Sequence, residues 1–342
     1  MAEAIGWGLI GASNIARQRV ARAIRESDDG ELVAIVSHSR ELALQFAREF
    51  DIAHIYDSLT ELFANQRVSV VYVSSTNQHH HGQVLAAATA GRHVLCEKPL
   101  ATRLEEAVEM ARACRARGVL LATNHHLRNA VTIRAMRKLV AEGAIGQVLS
   151  AMASQPVYVA PNVWRRTDPA AGAGVSYDVL VHAADAVRFI LGQEPLQVCA
   201  MACSGPMMAR GINDSIMATY SFERGALAQV YADFNTAHAR TRVEVLGSEG
   251  SIIGTDVLGK IPEHRGRVVV RRSGGEEEIA VESDDSRYRR AINCFNAAVR
   301  GTGVPACTGA DGIRSLAMIL AAEEAARTGS TVAVSDAGLE FQ

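Results

Sequence analysis

The stretch IGWGLIGASNIARQRVARAIRES, residues 5–27, decides the fold class of the chain. Residues 5–11 form a short apolar run, and apolar residues then recur at helical spacing across residues 14–27. Continuous apolarity in a strand indicates that both of its faces are covered, as in a parallel sheet with helices on each side. The stretch therefore predicts the first strand, turn and helix of a doubly wound α/β domain.

The same alternation of short apolar runs and longer amphipathic ones continues to residue 146. Further strands are predicted at 31–37, 68–75, 93–97 and 119–124, and further helices at 40–50, 82–90, 104–118 and 130–146. The later residues instead form long strand-like segments separated by turn signals such as ERG, GSEG and SGG. They predict an α+β domain with a largely antiparallel sheet that is open on one face. Helices are predicted there at 175–192, 287–299 and 311–327.

Composition and charge disfavour several classes of partner. The 342 residues are 48% hydrophobic and 21% charged, with a formal net charge of -2 and no long basic run, which disfavours nucleic acid. The first residues lack a secretory signal pattern, and no apolar run could span a bilayer. The six cysteines lack metal-type or redox-type spacing, which favours reduced thiols. We therefore expect a cytoplasmic protein without a membrane or nucleic-acid partner.

The first strand–helix junction has the spacing of a dinucleotide-binding turn, G-x-G-x-x-G. Gly11 occupies the first glycine position, and Ser13 and Ala16 replace the second and third glycines. Gly11 permits the tight turn, while the small side chains allow a pyrophosphate to approach and the helix to pack on the sheet. The helix amino terminus then offers free N–H groups to phosphates.

The end of the second strand bears on the choice between NAD(H) and NADP(H). An acidic residue there usually binds the ribose 2′-hydroxyl of NAD, but this chain has Ser37, His38, Ser39 and Arg40. Hydroxyls and a guanidinium can hold a 2′-phosphate, whereas a carboxylate repels it. The sequence therefore favours NADP(H), with NAD(H) left possible. In the alternative interpretation, Ser39 only caps the following helix.

Polar residues follow the predicted strands at one edge of the sheet. Ligands of open parallel sheets bind outside the carboxyl ends of the strands. Those ends are Gly11, Ser37, residues 75–81 (STNQHHH), Glu97-Lys98-Pro99 and Asn124-His125-His126. The three consecutive histidines 79–81 fan out at about 100° intervals at the start of a helix, which disfavours a shared metal ion. We expect one histidine to contact the cofactor and predict no metal site.

The predicted helix 175–192 carries a second candidate group. Asp178 and His182 are four residues apart, so they project from the same face and can interact. A histidine beside a carboxylate is suited to transfer a proton near neutral pH. Upstream, WRRTDPAAGAG (164–174) supplies an aromatic residue, two arginines and a glycine-containing loop, a plausible wall for a polar, sugar-sized ligand.

Several of these motifs resemble those of a known family. GLIGASNIA (8–16), STNQHH (75–80), AGRHVLCEKPLA (90–101) and GAGVSYDVLVHAAD (172–185) together resemble the glucose–fructose oxidoreductase / inositol dehydrogenase (Gfo/Idh/MocA) family. Within that family, WGLIGAS (7–13), VYVSSTN (71–77), CEKPLA (96–101) and TNHHLRNA (123–130) look most like the 1,5-anhydro-D-fructose reductases. The similarity extends along nearly the whole chain.

The resemblance implies an NAD(P)-binding Rossmann domain over 1–125 and an α+β domain for substrate binding and oligomerisation over 126–342, with the C-terminal helix able to pack back on the first. By position, Lys98 matches the catalytic lysine of the family, His182 its acid/base histidine, and Asp178 the carboxylate that holds substrate or orients that histidine. With Gly11, Arg40 and Lys98 from the residues themselves, the predicted cofactor-binding set includes Ala12, Ser13, Asn14, Ile15, Ser37, His38, Ser75, Thr76, Asn77, Gln78, His79, His80, Glu97, Asn124, Trp164, Arg165 and Tyr288.

Three features depart from the pattern of the family. Small residues replace two fingerprint glycines, and Gly172-Ala173-Gly174 replaces the commoner triple glycine. Leu42 stands where the anhydrofructose reductases place an arginine for the 2′-phosphate. Arg40 would therefore have to reach that group instead.

The resemblance implies hydride transfer from NADPH to the carbonyl carbon of a sugar or sugar-derived ketone. His182 would donate the proton, Asp178 would orient it, and Lys98 would polarise or position the reacting oxygen. An NAD-dependent sugar or polyol (inositol-type) dehydrogenase is one alternative, and a non-catalytic dinucleotide or ligand sensor is another. The expected partners are a small polyhydroxylated substrate and a second copy of the chain on the open sheet face.

Overall fold

The computed structural model describes residues 3–259, 266–281 and 286–341. Contacts divide the chain into two units. The first comprises Met1–His126, Ser286–Ile313 and Ala337–Gln342, and the second comprises Leu127–Asp285 and Arg314–Asp336. Among the described residues, no helix is both long enough and apolar enough to cross a membrane.

The helices alternate with strands in the first part of the chain. They are α1 (Ala21–Arg25), α2 (Arg40–Phe50), α3 (Leu59–Ala64), α4 (His80–Thr89), α5 (Leu104–Ala116), α6 (Val131–Ala141), α7 (Trp164–Thr167), α8 (Val181–Leu191), α9 (Arg287–Val299) and α10 (Gly309–Thr328). A π-helical segment, Ala16–Val20, runs directly into α1, and a second, Ser176–Leu180, runs directly into α8. π-Helical turns of this kind often occur at functional sites.

The first unit contains a six-stranded parallel sheet. Its strands are β1 (Ile5–Ile10), β2 (Gly30–Val36), β3 (His54–Tyr56), β4 (Val70–Val73), β5 (His93–Cys96) and β6 (Leu121–Thr123), in the order β3-β2-β1-β4-β5-β6. Every residue of β1 and β4 is buried. The doubly wound fold expected from continuous apolar strands is thereby confirmed.

Two elements of this unit were not predicted. β3 is a three-residue strand whose side chains are only half-buried, so it lacks the apolar run of the other strands. The helix after it, α3, begins with a capping box in which Ser58 and Glu61 each bond to the backbone of the other. The capping box, S-x-x-E, is a helix-start signal that the sequence does carry.

The predicted domain limits need a correction at the carboxyl-terminal part of the chain. The segment 286–313 belongs to the first unit, so residues 126–342 do not form one continuous domain. The reason is the apolar face of α9, where Phe295 packs in the same buried cluster as Trp7 of β1, with ring centroids 5.6 Å apart. Trp7 Nε1 also donates a hydrogen bond to Asn296 Oδ1 over 3.2 Å.

The second unit contains a nine-stranded sheet. Its strands are β7 (Val148–Pro156), β8 (Pro195–Cys203), β9 (Ser215–Phe222), β10 (Leu227–Asp233), β11 (Arg242–Gly247), β12 (Gly250–Thr255), β13 (Arg267–Arg272), β14 (Gly275–Glu278) and β15 (Val332–Ala333). Their order is β14-β13-β12-β11-β7-β10-β9-β8-β15, and β7 and β10 are parallel in an otherwise antiparallel sheet.

One face of this sheet is covered and the other is open. Ala151 and Val230 point to the covered face and are buried, whereas Met152, Met201 and Met217 on the other face are 40–82% exposed. Alternate residues of a strand point to opposite faces, so the register itself separates the two sets. The open-faced, largely antiparallel sheet is confirmed.

Buried charges in the second unit are paired. Arg128 donates to both carboxylate oxygens of Asp185 over 2.9 and 2.7 Å. Glu194 accepts from Arg188 and from Arg314, whose Nε lies 2.9 Å from Glu194 Oε2. Removing one partner of such a group leaves an uncompensated buried charge, so these contacts specify how α8 and α10 pack.

Candidate active site

The turn after β1 lies against the loop after β4. Gly11 has a φ of +102°, its amide donates to Val36 O over 2.8 Å, and a Cβ at this position would lie 3.0 Å from Ser75 N. Only glycine accepts that φ without strain and leaves room for the neighbouring backbone. The turn therefore brings the ends of β1, β2 and β4 together.

Ser13 begins the helix that follows this turn. Its hydroxyl accepts from Ala16 N over 3.2 Å and donates to Ser74 Oγ over 2.9 Å. Asn14 is exposed, and Ala12 and Ile15 are partly buried against the core of the unit. The tight glycine turn and the helix start beside it fit a dinucleotide pyrophosphate.

At the end of β2, Ser37 is half-buried and His38 is exposed. Ser39 caps α2, because its hydroxyl accepts a hydrogen bond from Leu42 N over 3.3 Å. This is the helix-cap role that the sequence left open as an alternative to binding the ribose. The Arg40 guanidinium forms an ion pair with Asp57, the residue that follows β3. Asp57 was missed by sequence reasoning because β3 itself was missed.

The three histidines lie where the loop after β4 leads into α4, and each has a different environment. His79 is exposed, and His81 pairs with Glu109 over 2.8 Å. The His80 side chain is fully buried, with Nδ1 3.0 Å from Pro99 O and Nε2 3.1 Å from Ser75 O. Both ring nitrogens therefore face backbone carbonyls of the protein, and the predicted contact of His80 with the cofactor stays a prediction. His80 links two loops at the sheet edge.

Burial lowers the pKa of His80, and its contacts with the carbonyls of Pro99 and Ser75 oppose that shift. Of the other predicted residues in this loop, Ser75 and Thr76 are half-buried and Gln78 is exposed, while Asn77 is buried. The loop thus presents Ser75, Thr76, Gln78 and His79 rather than all six residues.

Glu97 is held in a buried hydrogen-bond network. Its Oε1 accepts from Tyr72 OH over 2.5 Å and from Asn124 Nδ2 over 2.6 Å, and its Oε2 accepts from the Lys98 amide over 3.2 Å. Burial raises the pKa of Glu97 against the hydrogen bond of Tyr72 and the charge of Lys98, which lower it. The network ties the ends of β4, β5 and β6 into one rigid edge. The sequence contained no signal for Tyr72, which lies inside an apolar strand.

Lys98 follows Glu97 and is half-buried. Its charge acts on both neighbours, since it lowers the pKa of Glu97 and that of His80.

Tyr288, a more distant position in the sequence, joins the same unit through α9 and is buried, with its ring centroid 4.7 Å from that of His126. Burial raises the pKa of Tyr288, and the charge of Glu97 contributes to that rise.

In the second unit, Asp178 lies in the π-helical segment and His182 in the first turn of α8, and both are half-buried. Arg165 Nε lies 3.0 Å from Asp178 Oδ2, and its guanidinium stacks 4.8 Å from the centroid of the Trp164 ring. Arg165 therefore holds the carboxylate that the sequence assigned to catalysis. This pairing adds to the cofactor contact predicted for Arg165.

Two further side chains, Arg166 and Glu323, fix the backbone around this pair. Arg166 is fully buried and donates to Val159 O over 3.0 Å and to Phe234 O over 2.8 Å, which anchors α7. Glu323 of α10 accepts from Ser176 Oγ and, over 2.9 Å, from Asn213 Nδ2. Arg166 was predicted as part of a ligand wall, but its side chain is fully buried and bonds to backbone carbonyls. Glu323 was missed, since a lone glutamate in a helix carries no local sign of its distant partners.

Comparison with known proteins assigns a family. A family model described as "Oxidoreductase family, NAD-binding Rossmann fold" matches residues 5–125, and one described as "GFO/IDH/MocA C-terminal domain" matches residues 133–253. A 1,5-anhydro-D-fructose reductase from Ensifer adhaerens is 44% identical over 330 residues, which cover 96% of this chain and 98% of that protein. The chain belongs to the Gfo/Idh/MocA family.

Solved structures support the fold of this Gfo/Idh/MocA protein. An aldose–aldose oxidoreductase from Caulobacter crescentus, in complex with glycerol, superposes with a TM-score of 0.89 at 24% identity, covering 97% of this chain and 100% of that one. A levoglucosan dehydrogenase in complex with NADH and levoglucosan gives 0.88 at 22% identity, with the same coverage. At these identities the similarity shows the fold alone.

The family membership confirms the resemblance predicted from the motifs, and the protein is an oxidoreductase with an NAD-binding type of Rossmann domain. The first unit brings together Gly11, Ser37, Ser75, Glu97, Lys98 and Asn124 at the carboxyl edge of one sheet. The second brings together Trp164, Arg165 and Asp178 near the start of α8. The roles of these residues are proposals, developed next.

Proposed function

We propose that this Gfo/Idh/MocA oxidoreductase is an NADP(H)-preferring reductase for the carbonyl group of a sugar or sugar-derived ketone, similar to a 1,5-anhydro-D-fructose reductase. The observation that supports it most is the 44% identity over 96% of the chain to a protein of that activity. Lys98, Asp178 and His182 are all present at the motif positions that the catalytic mechanism needs.

A bound nicotinamide dinucleotide would supply the hydride for the carbonyl carbon. In the proposed mechanism, His182 donates a proton to the oxygen that becomes the alcohol, and Asp178 orients the imidazole and a substrate hydroxyl. Arg165 keeps the Asp178 carboxylate in place through its ion pair. The Lys98 ammonium stabilises negative charge on the reacting oxygen, which is larger in the transition state than in the ground state.

The preference for NADP(H) is supported by the end of β2. Ser37 and Arg40 stand where an NAD-specific site usually has a carboxylate. A guanidinium binds a phosphate through two parallel hydrogen bonds, so Arg40 is the proposed ligand of the 2′-phosphate.

The catalytic assignment is tested with Lys98→Ala and His182→Ala, with Lys138→Ala as the matched control. Lys138 is an exposed lysine of α6, and its Nζ lies 3.7 Å from Glu142 Oε1. It is in neither the predicted catalytic set nor the predicted cofactor-binding set. Loss of a proton-transfer or charge-stabilising group should reduce turnover of a keto-sugar by about 10²–10⁴-fold, and the control should retain full turnover. NADPH binding by His182→Ala should stay intact. Near-normal turnover in both site variants would remove the assignment.

The alternatives are separated by two further measurements. Fluorescence titrations with NADPH and NADH, followed by assays in both directions, distinguish the reductase from an NAD-dependent sugar or polyol dehydrogenase. Tight cofactor binding without turnover of any keto-sugar or polyol would identify a dinucleotide sensor. The homo-oligomer through the open sheet face stays a prediction.

A further inference from the structure

A carboxylate lies close to the proposed 2′-phosphate position. An NAD-specific site usually has its carboxylate at the end of the second strand, whereas here Asp57 follows the neighbouring strand β3. β3 pairs with β2 so that Tyr56 lies opposite Val36, and Asp57 and Ser37 are therefore the next residues on the two strands. The Asp57 carboxylate binds the Arg40 guanidinium. The residue proposed to hold the phosphate is thus already paired with an anion.

The two partners differ in how firmly they are held. Arg40 and Asp57 are 59% and 65% exposed, and an exposed pair of this kind contributes little to stability, so Arg40 can exchange one anion for another. Asp57 has the more fixed backbone, because its amide donates to Glu61 Oε2 over 3.0 Å beside the capping box of α3. A phosphate bound by Arg40 would therefore have the carboxylate as a neighbour.

We propose that Asp57 is a specificity-determining residue that weakens the preference of the site for NADPH over NADH. Without a 2′-phosphate, Asp57 holds Arg40 in its ion pair, and with one it competes for the guanidinium and repels the phosphate. This inference rests on the proposed function, since it takes the end of β2 as the 2′-ribose position. It goes beyond that proposal by predicting dual cofactor use, set by the residue that follows the third strand.

The size of the effect follows from Coulomb's law. A 2′-phosphate of charge about −1.5 to −2 and a carboxylate that share one guanidinium would be roughly 6 Å apart. In water this repulsion corresponds to about a 4–7-fold loss of affinity at 0.01 M ionic strength, and stronger screening reduces it to about 2–3-fold at 0.15 M. NADH has no charge at the 2′ position, so its affinity should not depend on the charge of Asp57.

The test is the Asp57→Asn variant, with Glu31→Gln as the matched control. Glu31 forms a similar exposed ion pair with Arg67 over 2.6 Å at the amino end of β2, so its removal changes the net charge equally at the opposite end of the strand. Dissociation constants for NADPH and NADH are measured by cofactor fluorescence at about 0.01 M and 0.15 M ionic strength. Asp57→Asn should tighten NADPH binding by about 4–7-fold at 0.01 M ionic strength and leave NADH binding unchanged, while Glu31→Gln should change neither.

A third variant, Arg40→Gln, separates failure of this inference from failure of the proposed function. Weaker NADPH binding by Arg40→Gln, with no gain from Asp57→Asn, would overturn the role of Asp57 and leave the NADP(H) assignment standing. An NADPH to NADH ratio that Arg40→Gln and Asp57→Asn both leave unchanged would overturn both. A gain in Asp57→Asn that disappears in the Arg40→Gln background would support the exchange of anions on Arg40.

Discussion

His80 offers a test of how the sheet edge is held together. Its buried ring lies between Pro99 O, 3.0 Å from Nδ1, and Ser75 O, 3.1 Å from Nε2. A neutral imidazole carries one N–H and donates to one of these carbonyls. His80→Phe removes that donor, leaves one more buried carbonyl unsatisfied and places a larger ring in a fully buried site, which should lower the free energy of unfolding by at least about 1–3 kcal/mol.

Two conservative substitutions divide the contact. In His80→Asn the amide nitrogen takes a position near Nδ1 and can still donate to Pro99 O, whereas in His80→Gln it takes a position near Nε2 and can still reach Ser75 O. Because Pro99 follows Lys98, we expect His80→Gln to lower kcat more than His80→Asn. His80→Asn should instead weaken NADPH binding through the loop at Ser75. His81→Asn is the matched control, since His81 pairs with Glu109 and is not in the predicted cofactor-binding set, and it should change neither quantity.

The pH dependence has a defined sign. Burial lowers the pKa of His80 below its value of 6.5 in an unfolded chain, so the folded protein binds fewer protons than the unfolded one below that pH. The wild type should therefore lose stability as pH falls through about 6.5 towards the folded pKa, and His80→Gln should lack this component. Urea unfolding followed by circular dichroism measures the difference. A His80→Phe variant as stable and active as the wild type, or Asn and Gln variants with the same kcat and cofactor affinity, would refute the reasoning.

Two further predictions concern the turn after β1 and a buried ion-pair group. Gly11→Ala should weaken NADPH binding and lower thermal stability, because a Cβ at this position would lie 3.0 Å from Ser75 N. Gly91 also has a positive φ, but a Cβ there would meet no atom within 4 Å, so Gly91→Ala is the control. An equal effect of the two substitutions would contradict the role of the contact with Ser75. Burial raises the pKa of Glu194, but the hydrogen bonds and charges of its two arginine partners outweigh this and leave the pKa lowered. Glu194→Gln should therefore lower the free energy of unfolding by about 2–4 kcal/mol at pH 7, and the difference from the wild type should shrink as pH falls below about 4. Urea unfolding at pH 7 and below pH 4 measures this difference, and an equal difference at both pH values would disprove the prediction.

Local patterns were sufficient for the regular parts of the first unit. Continuous apolar runs marked β1, β2, β4 and β5 because each is covered on both faces, and helical spacing marked α1, α2 and α4 between them. Gly11 could be predicted as the turn residue because its neighbours fit a known spacing and its φ demands glycine.

Half-buried elements and long-range contacts could not be predicted in the same way. β3 lies at the sheet edge with half-buried side chains, so its three residues gave no apolar signal, and Asp57 was missed with it. α9 was predicted as a helix, but its membership of the first unit depends on Phe295 meeting Trp7, and these residues are far apart in the chain.

The sequence by itself determined the class of both sheets, the family, and the positions where polar residues end the strands. Those properties depend on periodicity and on short motifs, which neighbouring residues encode. Only the tertiary structure decided what each polar side chain does: His80 links two carbonyls, Glu97 joins three strand ends, and Arg40 pairs with Asp57. The physical reason is that a side chain's partner, burial and pKa depend on groups brought close by folding, and the order of residues along the chain does not specify those distances.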